Sequence, residues 1–288
     1  MRSSKQIFEL IDSVARSDEN IRAVLLNGSR ANPNAKADIF QDYDIVYLVK
    51  NVSEYANKPT WAAQFGEIMI MQMPETMQDP PPLDNGSFSY LMQFTDGNRI
   101  DLTIFPIDRY NELLFDSQTV VLLDKDELFG NLPKPSEDSY LPQKPTDKQF
   151  QDCCNEFYWL APYVAKGLYR NDVGYYKHFL DVGMRGQLFK MLDWYIGEKH
   201  NYKKAPGKFG KNYQKLLGEE LYELFLAGYA SAVASANRQA LYATMQLFER
   251  SAKELASRLG YEFPIVEVKS LKAYLKRVEQ LKKDATDY

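Results

Sequence analysis

Cysteine and histidine are scarce in this chain. Its two cysteines, Cys153 and Cys154, are adjacent and cannot form a disulfide framework, which fits a reducing compartment. Neither of the two histidines stands near a Cys pair, so no zinc-site pattern is present. No apolar run reaches the roughly 18 residues of a membrane-spanning helix, and no membrane partner is expected. Met1-Arg2-Ser3-Ser4-Lys5-Gln6 leads into an amphipathic pattern rather than an apolar leader, so a cytoplasmic location is expected. Charge of one sign is also lacking: 35 Lys and Arg stand against 39 Asp and Glu, a formal net charge of −4. A nucleic-acid binder shows a basic face, so nucleic acid is not expected as a partner.

What is present is concentrated between Leu25 and Tyr47. An apolar run, Val24-Leu25-Leu26, leads into Asn27-Gly28-Ser29-Arg30. Twelve residues separate Ser29 from Asp42, where Asp42-Tyr43-Asp44 opens a second apolar run, Ile45-Val46-Tyr47-Leu48-Val49. Side chains alternate along a strand, so Asp42 and Asp44 point the same way. Two neighbouring carboxylates repel, and burying them is costly unless a cation neutralises them. A hard divalent ion with oxygen ligands is the expected partner. Gly28-Ser29, at a strand-to-helix turn, offers backbone N–H groups to a phosphate. Either fragment alone is a weak signal, since Gly-Ser turns and solvated Asp-x-Asp pairs are common. A third carboxylate strengthens them. In Arg99 to Phe105, Arg99, Asp101 and Thr103 share one strand face, with Asp101 between apolar neighbours.

The remaining pattern gives a mixed α/β half followed by a helical half. Ser4 to Ser17 has helical spacing, and strands are expected at 22–26, 67–73, 89–94, 99–105 and 120–123. Asp96-Gly97 between two of these is a hairpin signal. Pro133, Pro135, Pro142 and Pro145 mark a linker between a domain at 1–135 and a helical domain at 146–288. Thr146-Asp147-Lys148-Gln149 is a capping box. Helices follow to about Leu168, at 175–196, 219–229, 237–259 and 270–282, with Gly260 as a C-cap.

The spacing of Gly28-Ser29, Asp42-Tyr43-Asp44 and Asp101 resembles the nucleotidyltransferase superfamily related to DNA polymerase β. Further blocks narrow the likeness: Met71-Gln72-Met73-Pro74-Glu75, Asp96-Gly97-Asn98-Arg99-Ile100-Asp101, Asp152-Cys153-Cys154-Asn155-Glu156-Phe157, Tyr163-Val164-Ala165-Lys166-Gly167-Leu168 and Gly210-Lys211-Asn212-Tyr213. These resemble the bacterial aminoglycoside 6-adenylyltransferases (streptomycin adenylyltransferases). Where some relatives have Glu before Gly-Ser, this chain has Asn27. The resemblance implies an α+β fold, with a polymerase β-like nucleotidyltransferase sheet and helices followed by an all-α domain. It implies transfer of AMP from ATP to the 6-hydroxyl of streptomycin, with Mg²⁺ and release of pyrophosphate, giving antibiotic resistance. A monomer or homodimer is expected.

Under that reading Asp42, Asp44 and Asp101 hold metal, and Asp101 shares a second ion or takes the acceptor's proton. Gly28, Ser29 and Arg30 meet the β- and γ-phosphates. Lys211, ahead of Lys208, meets the pyrophosphate. Carboxylates and aromatic faces suit a guanidinium-bearing acceptor. The candidates are Glu75, Asp84, Glu156, Asp181, Tyr90, Trp159 and Tyr163, of which two or three are expected to touch it. The rival readings are another acceptor (a second aminoglycoside, a protein hydroxyl or an RNA end) and a non-catalytic nucleotide- or drug-binding relative.

Overall fold

The computed structural model describes residues 1–82, 85–283 and 285–286. The side chains of residues 114 and 115 lie outside that description, as does the acceptor candidate Asp84. The chain divides into two units, Met1–Ser139 and Tyr140–Tyr288.

The first unit begins with helix α1 (Ser4–Ser17), started by a capping box in which Ser3 and Gln6 satisfy each other's backbone N–H groups. There follow β1 (Ile21–Asn27), β2 (Tyr43–Val49), the short helix α2 (Pro59–Ala62), β3 (Ile68–Gln72), β4 (Phe88–Phe94), β5 (Arg99–Pro106) and β6 (Thr119–Asp124). They form one six-stranded sheet in the order β3-β4-β5-β2-β1-β6. Only β2 and β5 run parallel; the other pairs are antiparallel. The expected hairpin at Asp96-Gly97 joins β4 to β5, with Gly97 at φ +86°.

Period-two alternation gives the sheet two different faces. Tyr43, Ile45, Tyr47 and Val49 of β2 share a core with Ile100, Leu102 and Ile104 of β5. Ile7, Ile11 and Ala15 of α1 cover it and are almost fully buried. Burying each isoleucine contributes roughly 1.5–3 kcal/mol before entropy is counted. The opposite face changes character along its length. At one end Ala23, Leu25, Val46, Leu48 and Phe105 pack beneath Phe129. Towards the other end the same rows become polar: Leu25, Val46, Thr103 and Ser89 in one register row, then Asn27, Asp44, Asp101 and Leu91 in the next.

The second unit is helical: α3 (Asp147–Arg170), α4 (Val173–His178), α5 (Arg185–Lys199), α6 (Tyr213–Leu216), α7 (Glu219–Ala227), α8 (Ala234–Leu259) and α9 (Ile265–Gln280). Thr146 and Gln149 close the expected capping box on α3, and Gly260 ends α8 in the left-handed region at φ +73°. Phe157 of α3 stacks on Phe248 of α8, with ring centroids 3.7 Å apart. The single helix expected over 175–196 is interrupted by a π-helical turn, Phe179–Met184. Gly183 meets Leu160 of α3 there so closely that a Cβ would come within 2.9 Å of it. Hydrophobic periodicity does not register one wider turn, because Leu180 and Met184 within it both stay buried.

Candidate active site

The three acidic residues come from the starts of two parallel neighbours. Asp44 of β2 and Asp101 of β5 are direct register partners. Asp42 lies one residue before β2, and the register there sets it beside Arg99. Parallel pairing is what makes this possible, since it places the beginnings of both strands at the same end of the sheet. β1 runs the other way, so its C-terminal end and the Gly-Ser turn arrive at that end too.

The turn touches the acids. Gly28 has φ +69°, and a Cβ there would lie 2.3 Å from Asp44 Oδ2. Only glycine therefore fits between the backbone and that carboxylate. Beyond Gly28 the chain makes a single 3-10 turn, Gly28–Arg30, and not the expected helix. No helix dipole supports a phosphate at this position.

The electrostatics follow from crowding. Burial first, then the charges of Asp101 and Asp42, push the Asp44 carboxyl up to about 6, with Arg99 opposing and Asp116 adding to the repulsion. Asp42 is also raised, by burial above all, with Arg99 and Arg30 holding it down and Asp101 pushing it up. Among the described residues no group donates a hydrogen bond to the Asp44 carboxylate. Asp101 is held differently. Arg99 Nε and Nη2 donate to its two oxygens at 2.8 and 2.9 Å, and Nε lies 3.7 Å from Asp42 Oδ2.

Sequence reasoning placed Arg99 on the face of Asp101 but gave it no role. The Arg-x-Asp spacing on one strand was the signal, because alternation brings both side chains to the same side. Asn27, where some relatives have Glu, stands in the row that contains Asp44, and its Oδ1 accepts from Thr119 Oγ1 at 3.1 Å. Asp116 lies in a loop with no periodic signal, and only the fold brings its charge to Asp44.

Arg30, expected to meet phosphate, is engaged with the protein's own backbone in this structure. Its Nε donates to the Asp42 carbonyl at 3.0 Å and its Nη2 to the Gln41 carbonyl at 2.8 Å. Its Nη1 donates to Ser4 Oγ, and the guanidinium lies 3.7 Å from the Tyr43 ring centroid. Arg30 is thus a strut that fixes the backbone at Asp42. Tyr90 is corrected. It is 0% exposed on the face that packs against α1, and its hydroxyl bridges the Tyr55 carbonyl and the Lys58 N–H. A side chain buried there cannot touch an acceptor.

Glu75 lies on the acidic side. Its two oxygens accept from Ser89 N–H and Ser89 Oγ at 2.9 and 3.0 Å. With Ser89, Thr103 and Pro80-Pro81-Pro82 it lines a cavity of about 440 Å³, one register row from Asp101.

In the second unit, Glu156 and Trp159 are exposed on α3, and Trp159 meets Tyr163 edge-on with centroids 6.5 Å apart. Tyr163 already has Lys166 Nζ over its ring, 4.5 Å from the centroid. Asp181 is committed to Lys177 and to Arg185. Burial raises its pKa, but hydrogen bonds from these two cations outweigh it and the net direction is down. A guanidinium-bearing acceptor would have to compete with both cations for Asp181. Lys208 and Lys211 are exposed on a tight turn with Gly207 at φ +75° and Gly210 at φ +74°. Among the described residues neither pairs with an acid.

The donor set fits a hard divalent ion, although among the described residues no three acidic, His or Cys side chains are gathered as a ready-made cage. Mg²⁺ does not require one, because it is usually bound through one or two carboxylates together with substrate phosphates and waters. Crowded carboxylates with only Arg99 between them match that mode.

A family model described as "Streptomycin adenylyltransferase" matches residues 1–278. This chain belongs to the streptomycin adenylyltransferase family. The similarity of this streptomycin adenylyltransferase family member to its named relatives runs nearly end to end. It is 36% identical to a Campylobacter jejuni protein named aminoglycoside 6-adenylyltransferase, over 93% of each chain. It is 35% identical to a protein of that name from Bacillus subtilis, covering 92% of this chain and 94% of the other. A Staphylococcus aureus protein of that name is 34% identical over 92% and 94%. A crystal structure of an aminoglycoside 6-adenyltransferase from Bacillus subtilis shows 32% identity over 97% of this chain and 99% of its own, with a TM-score of 0.47. The family assignment rests on the sequence matches.

Proposed function

We propose that this chain transfers AMP from ATP to the 6-hydroxyl of streptomycin and releases pyrophosphate, which would inactivate the drug. The observation that carries the reading is the direct pairing of Asp44 with Asp101 across two parallel strands, with Asp42 tied in through Arg99 and Gly28 packed on Asp44. Asp42, Asp44 and Asp101 are the residues that would hold a divalent ion, which when bound neutralises the triphosphate and the attacking oxygen.

The acceptor hydroxyl attacks the α-phosphorus in line. Its proton passes to Asp101, a new P–O bond forms, and the bond to the β-phosphate oxygen breaks, so that pyrophosphate leaves with the electron pair. Gly28 and Ser29 offer backbone N–H groups to the triphosphate. Lys211 is assigned to the departing pyrophosphate, with Lys208 as the alternative. Glu75 is assigned to a cationic group of the acceptor; Glu156 and Trp159 are the exposed acceptor candidates of the helical unit.

The test is mass detection of the product after incubation with ATP and Mg²⁺ across a panel of aminoglycosides. Streptomycin gaining one AMP, with the 6-hydroxyl substituted, is the expected result. AMP on a different aminoglycoside alone would replace the acceptor but keep the chemistry. Nucleotide binding with no product would overturn the enzymatic reading.

A further inference from the structure

Arg99 lies where a divalent ion would have to work. Its guanidinium donates to both oxygens of Asp101 and approaches Asp42 Oδ2 at 3.7 Å. It stands two residues before Asp101 on the same face of β5, so its side chain folds back over the strand that carries it. An arginine cannot leave such a pair by losing its proton. Asp101 becomes available to another cation only when the guanidinium moves away as a charged group. The side chain is 41% exposed, so solvent lies on the side to which it would move.

We propose that Arg99 is a resident counter-ion that a divalent cation displaces, and that nucleotide phosphate oxygens receive the displaced guanidinium. This rests on the proposed nucleotidyl transfer at the same carboxylates. Free metal alone then binds against the cost of an unpaired arginine. Metal arriving with a triphosphate does not, because a guanidinium pairs with phosphate as well as with carboxylate, through two parallel hydrogen bonds. The acidic cluster therefore favours the metal–nucleotide complex over either component, and the selectivity comes from an arginine outside the three acids. Arg99 is a positioning residue here.

The experiment titrates Mn²⁺ into the full chain, with free Mn²⁺ read by electron paramagnetic resonance, in the presence and absence of a non-hydrolysable ATP analogue. It compares the parent, Arg99→Gln and Arg99→Lys. Losing a partly exposed, charge-assisted pair should tighten Mn²⁺ binding to Arg99→Gln alone by about threefold to tenfold. The same variant should lose most of the gain in Mn²⁺ affinity that the analogue gives the parent. Arg99→Lys, which keeps a charge but not the fork, should fall between them on both measures, and it keeps the test available if Arg99→Gln melts at too low a temperature to titrate. Unchanged or weaker Mn²⁺ binding in both variants overturns the counter-ion role and leaves the transfer reading intact. A parent that binds no Mn²⁺ with or without the analogue overturns both.

Discussion

Two half-buried aspartates, one in each unit, have carboxyls pushed up to about 6, and they reach that value by different routes. Asp193 on α5 is raised by burial, and the Tyr213 hydroxyl, 2.7 Å away, pulls it partly back. Asp44 is raised by burial and then further by Asp101 and Asp42. Asp193 therefore has a donor supplied by the fold. Asp44 has acidic neighbours and a glycine pressed against it. Similar carboxyls thus separate into a structural one with a hydrogen-bond donor of its own and one whose acidic neighbours outweigh the single opposing guanidinium of Arg99.

The sharpest way to break this contrast is to neutralise the acidic side. Asp101→Asn should lower the rate of AMP transfer by at least about a hundredfold, the usual scale for losing a general base. It should fall mainly on kcat rather than KM in steady-state assays. Asp193→Asn should leave both within about twofold of the parent. If the two substitutions cost similar activity, the separation between them is wrong.

Gly28→Ala comes next. The methyl group would meet Asp44 Oδ2 at a backbone with φ +69°. A loss of about 1–2 kcal/mol in denaturant melts is expected from the strained backbone. The displaced Asp44 should also cost at least about tenfold in transfer rate, since small misplacements at a reacting centre are expensive.

Asp193 gives a pH test of opposite sign. Its folded pKa lies above the unfolded value of 3.8, so the folded state holds the proton more tightly. Stability from this group is fully present below about 4 and is lost as pH rises towards 6. Asp193→Asn should thus be more stable than the parent at pH 8, by roughly 1–2 kcal/mol after allowing for partial exposure. The advantage should shrink as pH falls from 6 towards 4, as thermal melts at a series of pH values would show. The smallest effect on activity is expected from Tyr90→Phe. It removes a buried hydroxyl that makes two hydrogen bonds, costs about 1–2 kcal/mol of stability, and leaves the acceptor KM unchanged.

Much of the acidic site was legible because strand alternation is a strict rule. Alternation puts Asp42 and Asp44 on one side of their strand and Asp101 on one side of its own with Arg99, but only the parallel pairing of β2 with β5 makes those two sides the same face. The same rule identifies Tyr90, which alternates with Met92 and Phe94 into the buried face, as a core residue. Reading it as an aromatic surface set that rule aside. Charged side chains differ in how far the sequence shows their partners. Those of Arg30 are backbone carbonyls 11 and 12 residues away across a turn, which no local pattern marks, whereas Lys177 and Arg185 stand at the i−4 and i+4 spacing from Asp181 that a helix brings together. The six-stranded order, with β5 inserted next to β2, and the π turn at Phe179–Met184 depend on tertiary packing that local patterns do not encode.

Thermal melting of Asp44→Asn beside the parent, with and without Mg²⁺ and a non-hydrolysable ATP analogue, tests the central claim most directly. If the acidic cluster carries more negative charge than Arg99 offsets, removing one charge should raise the melting temperature of the protein alone at pH 7.5 and abolish the stabilisation that metal and nucleotide give the parent. A variant that melts lower than the parent alone, yet is stabilised equally by metal and nucleotide, would contradict the account.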